Sequence, residues 1–362
     1  MKILHTEASR GWGGQEIRIL EESKGMMERG HEVEILCPAE ARLHEEAKRR
    51  GIPVTALPIG RKNLRGFIAL RRWLKAHPVD VVNTHSSTDS WLAALACKTL
   101  RNPPPIVRTR HISAPTPKNA ASRWLYSGAV RHVVTTGEAL RRQLIEQNGV
   151  PAERITSAPT GIDPARFAPG DKIAARTALG LDPAGHYIGI VATLRSWKGH
   201  AHLLEAFAQA RLPGWTLLIV GDGPMRGPIE AKVAGLGVDD RVRLVGQQDR
   251  PEDWMRALDI FVLPSYANEG VPQAVLQAMF TGLPIVTTPV GAILEAVSDG
   301  ETALVVEPRN PQALAAALAR LAGDAELGAR LGVAARIVAE ARFSREAMLE
   351  RMEAIFMEAA RT

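Results

Sequence analysis

Residues 259–288, DIFVLPSYANEGVPQAVLQAMFTGLPIVTT, decide how the chain is read. Ile260 to Leu263 are apolar without interruption and stop at Pro264, as in a buried parallel strand. A polar loop carrying Glu269 and Gly270 follows. Pro272, favoured in a first helical turn, then opens an apolar-periodic helix that runs to Phe280 and ends before Gly282. Such a strand–loop–helix unit turns the backbone N–H groups of Gly270, Val271 and Gln273 toward whatever occupies the loop. With the helix dipole behind them, these groups suit a phosphate. Glu269 would repel that phosphate unless it reaches past it to hydroxyl groups. A ligand carrying both phosphate and hydroxyls is a sugar nucleotide.

Outward from this unit, strand-like runs recur at spacings filled by helical patterns. In the first half they are Ile3 to His5, Val33 to Cys37, Val79 to His85, Ile106 to Thr109 and His132 to Thr135. In the second half they are Tyr187 to Leu194, Trp215 to Val220, Val242 to Val245, Ile260 to Pro264, Ile285 to Thr288 and Ala303 to Val306. Two such series predict an α/β chain of two Rossmann-like, doubly wound sheets, each with its ligand beyond the strand C-termini. Pro159, Gly161, Pro164, Pro169 and Gly170 mark the linker between them. The expected domains are 1–165 and 166–344, and residues 345–362 form a final helix. At 362 residues, two cores are the natural expectation.

Composition narrows the class. With 46% hydrophobic and 23% charged residues the chain reads as an ordinary globular protein. Cys37 and Cys97 form neither a disulfide framework nor a paired-cysteine metal site, which favours a reducing compartment. The start, MKILHTEASR, lacks a signal-peptide apolar core, and the longest apolar tract is broken by Gly282, Pro284, Pro289 and Gly291. A soluble, cytoplasmic protein is expected. Charge is uneven: residues 1–165 hold 25 Lys and Arg against 16 Asp and Glu, and the remainder 20 against 23. A basic first half implies an acidic partner: nucleic acid, an anionic membrane or a phosphorylated substrate. Basic surfaces interleaved with stacking aromatics are lacking, so nucleic acid is not expected.

Residues 60–77, GRKNLRGFIALRRWLKAH, read as a basic amphipathic helix with an interfacial Trp73, suited to anionic lipid at the inner membrane face. The alternative is a helix packed on the sheet with a solvated basic side. The first β-α turn, residues 7–20, places Gly13 and Gly14 where a loop approaches phosphate, although glycine there also makes a simple tight turn. His85 and His111 end strand-like runs and so face the ligand side. Either is a sugar or acceptor contact, His85 on the acceptor side, or a structural histidine. Arg195 and Lys198 occupy the turn of LRSWKGH and suit a pyrophosphate, or else are solvated loop charges. Asp222 reads as a turn former. No histidine–carboxylate cluster has metal spacing. Neutralising phosphate falls to the two cations and the helix N-terminus, with no metal and no cofactor expected.

Together these motifs resemble the family 4 glycosyltransferases, retaining enzymes of the GT-B fold. The resemblance runs through GGQEIRILEESKGMMERGHEVEILC, VVNTHSS, PTGIDPARF, LRSWKGH, GDGPM, residues 257–288 and VGAILEAVSDGETALVVEP. It implies that Gly13 and Gly14 approach the donor phosphates and that Arg195 and Lys198 hold the pyrophosphate. Glu269, Gly270, Val271, Pro272 and Gln273 bind the donor sugar. His111 lies in the reaction pocket, and the final helix crosses back onto the first domain, which takes the acceptor. Two positions depart from the family pattern. Gln277 replaces a second glutamate that binds the ribose, and Ala192-Thr193 replace a Gly-Arg pair. The implied reaction moves a hexose from a nucleoside diphosphate to a hydroxyl of a glycan or lipid-linked acceptor, such as a lipopolysaccharide precursor, with domain closure on the donor. The alternatives are a nucleotide-sugar epimerase of the same architecture and a donor-binding pseudoenzyme.

Overall fold

The computed structural model describes residues 1–111 and 116–361. By internal contacts the chain divides into two compact units, Met1–Gly161 with Glu346–Thr362, and Ile162–Arg345.

The first unit is built on β1 (Lys2–Thr6), β2 (Glu32–Cys37), β3 (Val54–Ala56), β4 (Val81–Thr84), β5 (Ile106–Arg110), β6 (His132–Thr135) and β7 (Ile155–Ser157). All pairings are parallel, in the order β3-β2-β1-β4-β5-β6-β7. The second holds β8 (His186–Val191), β9 (Trp215–Val220), β10 (Val242–Gly246), β11 (Ile260–Leu263), β12 (Ile285–Thr287) and β13 (Leu304–Val305). It is parallel as well, ordered β10-β9-β8-β11-β12-β13. Strands such as Val81–Thr84 and Ile260–Leu263 are buried at every residue because helices cover both faces. In each sheet the order reverses at one point, between β1 and β4 and between β8 and β11. Loops leaving the C-termini of those strands are the natural ligand positions.

Some expectations change. The edge strands β3 and β7, three residues each, are only partly buried and carry no continuous apolar run to announce them. The run expected through Leu194 ends at Val191, after which the chain bends and Leu194 N donates to Asp222 O. The basic helix is Leu64–Ala76, capped by the Asn63 side chain, which accepts from Gly66 N at 2.8 Å. Trp73 is not interfacial. It is buried with Leu70 and Leu74 in the core and stacks on His77 at 4.5 Å. The exposed apolar side chains of that helix are Leu64 and Ile68. Among the described residues, no helix is long and apolar enough to cross a membrane.

The last helix, Arg345–Ala360, packs Met348, Leu349, Met352 and Phe356 against Ile3, Val81, Val107 and Val134 in the first unit. Beside it lies a fully buried ion pair. Arg18 Nε reaches Glu22 Oε2 at 3.4 Å and Arg18 Nη1 donates to Ala158 O at 2.7 Å. Asn83 Nδ2 donates to the other Glu22 oxygen, and Thr109 Oγ1 to Asn83 Oδ1. Burial alone pushes the Glu22 carboxyl up and the Arg18 guanidinium down, and each partner opposes that shift in the other. Removing one partner strands the other, so Arg18→Leu is expected to cost about 3–5 kcal/mol. A shift in urea midpoint equivalent to less than about 1 kcal/mol would show that the pair contributes little.

Candidate functional site

In the second unit the reversal between β8 and β11 sets two loops side by side. The first runs from Val191 through Arg195 to a single 3-10 turn, Ser196–Lys198, and into the helix His200–Ala210. The second follows β11 through Ser265 and Glu269 to the helix Gln273–Thr281. They are stitched together by Tyr266 N, which donates to Trp197 O at 2.8 Å. Gly199 allows the approach: its φ is +78°, and a Cβ there would lie 2.1 Å from Pro264 O. Behind the second loop, the backbone of Gly291 presses against Glu269 O, where a Cβ would fall at 2.0 Å.

The result is a contact between two residues singled out from sequence. Lys198 Nζ lies 2.7 Å from Glu269 Oε1, and Ser265 Oγ donates to the same oxygen at 2.6 Å. Ser265 is itself fixed through its carbonyl, which accepts from Thr288 Oγ1. Glu269 is only 5% exposed, so its charge depends on these partners. Arg195 stands apart from the pair, exposed, its guanidinium over the Trp197 ring at 5.8 Å. Gly270, Val271 and Pro272 are buried after Glu269. Pro272 is the residue before the helix, in extended conformation, and not its first turn. Gln273 starts the helix and already has a partner within the chain, and Gln277 is half-buried one turn on. Asp222 accepts from Gly223 N at 2.7 Å, as a turn former does. His200, next to Lys198, was not anticipated: it is buried and pushed down to about 4, by burial first and Lys198 second.

In the first unit Gly14 begins the helix Gly14–Glu28, and Gly13 precedes it in extended backbone that any residue adopts. Glu7 is buried beneath this turn and accepts from Ser9 N at 2.6 Å and from Gln15 Nε2. Burial, first, and the nearby Asp89 raise its carboxyl to about 8. Asp89 accepts from Thr6 Oγ1, His85 N and Ser86 N, each at 2.8 Å. This holds His85 just beyond the end of β4.

His85 and His111 are brought together, and a third imidazole joins them. His85 Nδ1 and His111 Nε2 are 2.9 Å apart, and His5 Nδ1 and His85 Nε2 3.0 Å. His5 lies within β1, where an alternating strand residue gives no reason to suspect a site. Burial is the first cause that lowers all three, His5 to about 3. Among the described residues, no group of three or more His, Cys, Asp or Glu is arranged to hold a metal ion.

A profile described as Glycosyltransferase Family 4 matches residues 12–166, and one described as Glycosyl transferases group 1 matches residues 185–324. A D-inositol 3-phosphate glycosyltransferase of Thermobispora bispora is 30% identical over 96% of this chain and 90% of its own length. The chain belongs to the family 4 glycosyltransferases. The lipopolysaccharide core biosynthesis mannosyltransferase LpsB of Rhizobium meliloti is 38% identical over 45% of this chain, and the match spans about half of that relative, 49%. Among solved structures, Anabaena Alr3699/HepE in complex with UDP-glucose is similar over 99% of this chain and 100% of that one, with a TM-score of 0.88 and 23% identity. Two parallel-sheet units with this likeness are the GT-B fold.

The Lys198–Glu269 contact depends on the close passage of Gly199 beneath Pro264. Gly199→Ala is expected to destabilise by about 1–3 kcal/mol through strained φ and the clash. An unchanged melting temperature would show that the loops tolerate separation.

Proposed function

We propose that the chain transfers a hexose from a nucleoside diphosphate sugar to a hydroxyl acceptor, with retained anomeric configuration and without a divalent metal. The observation that carries this reading is the half-buried Lys198–Glu269 contact at the reversal of the second sheet. It sets a cation beside a carboxylate in front of the Gln273–Thr281 helix, a pairing that suits a ligand with phosphate at one end and hydroxyls at the other. Both recorded bonds fall on Glu269 Oε1, so Oε2 is the oxygen assigned to the sugar hydroxyls. That the similar Anabaena protein is solved with UDP-glucose supports the donor class.

In the reaction, the bond from the anomeric carbon to the β-phosphate oxygen breaks. The acceptor oxygen bonds that carbon on the same face, and its proton leaves on the departing nucleoside diphosphate. Charge on the leaving phosphate is met by Lys198, Arg195 and the backbone of Gly270, Val271 and Gln273, with Pro272 shaping the turn. A preorganised donor of this kind is worth about 10²–10³ in rate. Gln277 bonds a ribose hydroxyl through its amide. Gly13 and Gly14 approach the donor phosphates, His111 steadies the sugar, and His85, on the acceptor side, stands behind His111.

The acceptor is a lipid-linked or lipopolysaccharide-type glycan at an anionic membrane face. The basic charge of the first half supports this, as does an exposed patch of Leu64 and Ile68 with Arg61, Lys62 and Arg65. The resemblance to LpsB, a mannosyltransferase of lipopolysaccharide core biosynthesis, supports it as well.

Lys198→Ala is expected to lower kcat about 10²–10³-fold at saturating donor. Near-full turnover would remove Lys198 from the mechanism. UDP-glucose, UDP-N-acetylglucosamine and GDP-mannose, tested by thermal shift, should include one that adds about 2.7 kcal/mol at 100 times its Kd, with or without EDTA. A strict metal requirement would overturn the metal-free reading. In liposome flotation, Leu64→Asp with Ile68→Asp should release the protein from anionic vesicles. Equal partitioning of the unaltered protein onto neutral and anionic vesicles would count against membrane docking.

A further inference from the structure

His5, His85 and His111 come from three neighbouring strands, β1, β4 and β5, and form a row across the C-terminal edge of the first sheet. Successive ring centroids are each 5.2 Å apart, with the planes inclined by 18° and 30°. A neutral imidazole has one donor and one acceptor nitrogen. For His85 to donate to both neighbours it would have to be an imidazolium, and to accept from both an imidazolate. Burial opposes charge on it, and the cations Arg18 and Arg108 oppose an imidazolium further. Both N···N bonds therefore run in the same direction.

That direction is set at the inner end. His5 Nε2 is buried and has no hydrogen-bond partner among the described residues. If His111 donated inward, His5 Nε2 would carry an orphaned N–H, a rarer state than a bare acceptor lone pair. Phe356 meets the His5 ring edge-on at 6.1 Å between centroids, too distant for a good N–H···π contact. The bonds thus run outward, from His5 Nδ1–H to His85 Nε2 and from His85 Nδ1–H to His111 Nε2. Donor character emerges at Nδ1 of His111, which is half-buried at the outer end. Among the described residues the inner end offers no hydrogen-bond partner to pass a proton to, so the row orients and does not conduct.

We propose that His5 and His85 are positioning residues that lock His111 as an Nδ1–H donor toward an oxygen of the sugar or its acceptor. The proposal rests on the reading that His111 lies in the reaction pocket. It means that His111 selects an oxygen able to accept, and that it is not the acid of the reaction.

The test is ¹⁵N–¹H correlation NMR of the full chain labelled at histidine, which reads each tautomer without needing turnover. Nδ1–H on all three rings is expected. Nε2–H on His111 would overturn the proposal, whatever the enzyme does. In His85→Phe, His111 should lose its single tautomer, and kcat should fall about 10- to 100-fold with donor KM nearly unchanged. Turnover is followed as nucleoside diphosphate release from the three sugars of the thermal-shift panel. His5→Phe removes the donor two rings away and keeps His85, so it gives the same readout if His85→Phe fails to fold. Loss of the tautomer with unchanged kcat would overturn the proposed role by removing His111 from the reaction, while leaving the row itself in place.

Discussion

Glu269 is almost entirely withdrawn from water, and Lys198 at 2.7 Å makes that tolerable. A buried carboxylate costs several kcal/mol unless paired and hydrogen-bonded, so the positions of both loops are tied to this contact. The pair exists only because β8 and β11 are adjacent in the sheet while being separated by β9 and β10 in the chain. Sheet order, the left-handed turn at Gly199, the Tyr266–Trp197 bond and the Ser265 hydroxyl all serve to bring one ammonium and one carboxylate together. A side chain that must keep its charge in a dry place needs this much backbone to hold it.

At their strand ends the two units treat charge differently, although the first also holds the buried Arg18–Glu22 pair. At the strand ends of the second, burial is answered by an opposite charge. At those of the first, burial works against charge: it is the first cause that lowers the three imidazoles and raises the Glu7 carboxyl. Neutral groups bonded in series make directional donors and acceptors, which discriminate hydroxyl orientation. Charged groups make fields, which suit phosphate. On the proposed reading, the second unit takes the diphosphate and the first the hydroxyl acceptor.

Much of this was readable from residues alone because the strands are continuous apolar runs and the loops carry turn chemistry. Arg195, Lys198 and Glu269 stand out since charged residues directly after such runs face the ligand side. The sequence did not reveal which of them touch, because that depends on sheet order. Nor did it reveal His5, Glu7 and Asp89, whose meaning comes from partners as many as 83 residues away. Trp73 misled for a physical reason. An amphipathic helix has the same pattern whether its apolar face meets lipid or a core, and here Leu70, Trp73 and Leu74 meet the core. The strands β3 and β7 were missed because they sit at a sheet edge, only partly buried, without a continuous apolar run.

Gln277 bears on how binding energy is distributed. On the proposed reading its amide replaces a carboxylate at the ribose, and the lost charge assistance is worth about 1 kcal/mol. A carboxylate at 277, one turn into the same helix, would add a negative charge near the phosphate that Lys198, Arg195 and the helix N-terminus are proposed to meet. On the proposed reading the amide avoids this repulsion, and Lys198, Arg195 and the helix N-terminus meet the phosphate. Donor recognition then leans on the diphosphate more than on the ribose. Contacts to phosphate through an exposed guanidinium are screened by salt, whereas a buried hydroxyl contact is not. On the proposed reading, then, nucleoside diphosphate binding carries a salt-sensitive term, and one sugar is separated from another at Glu269.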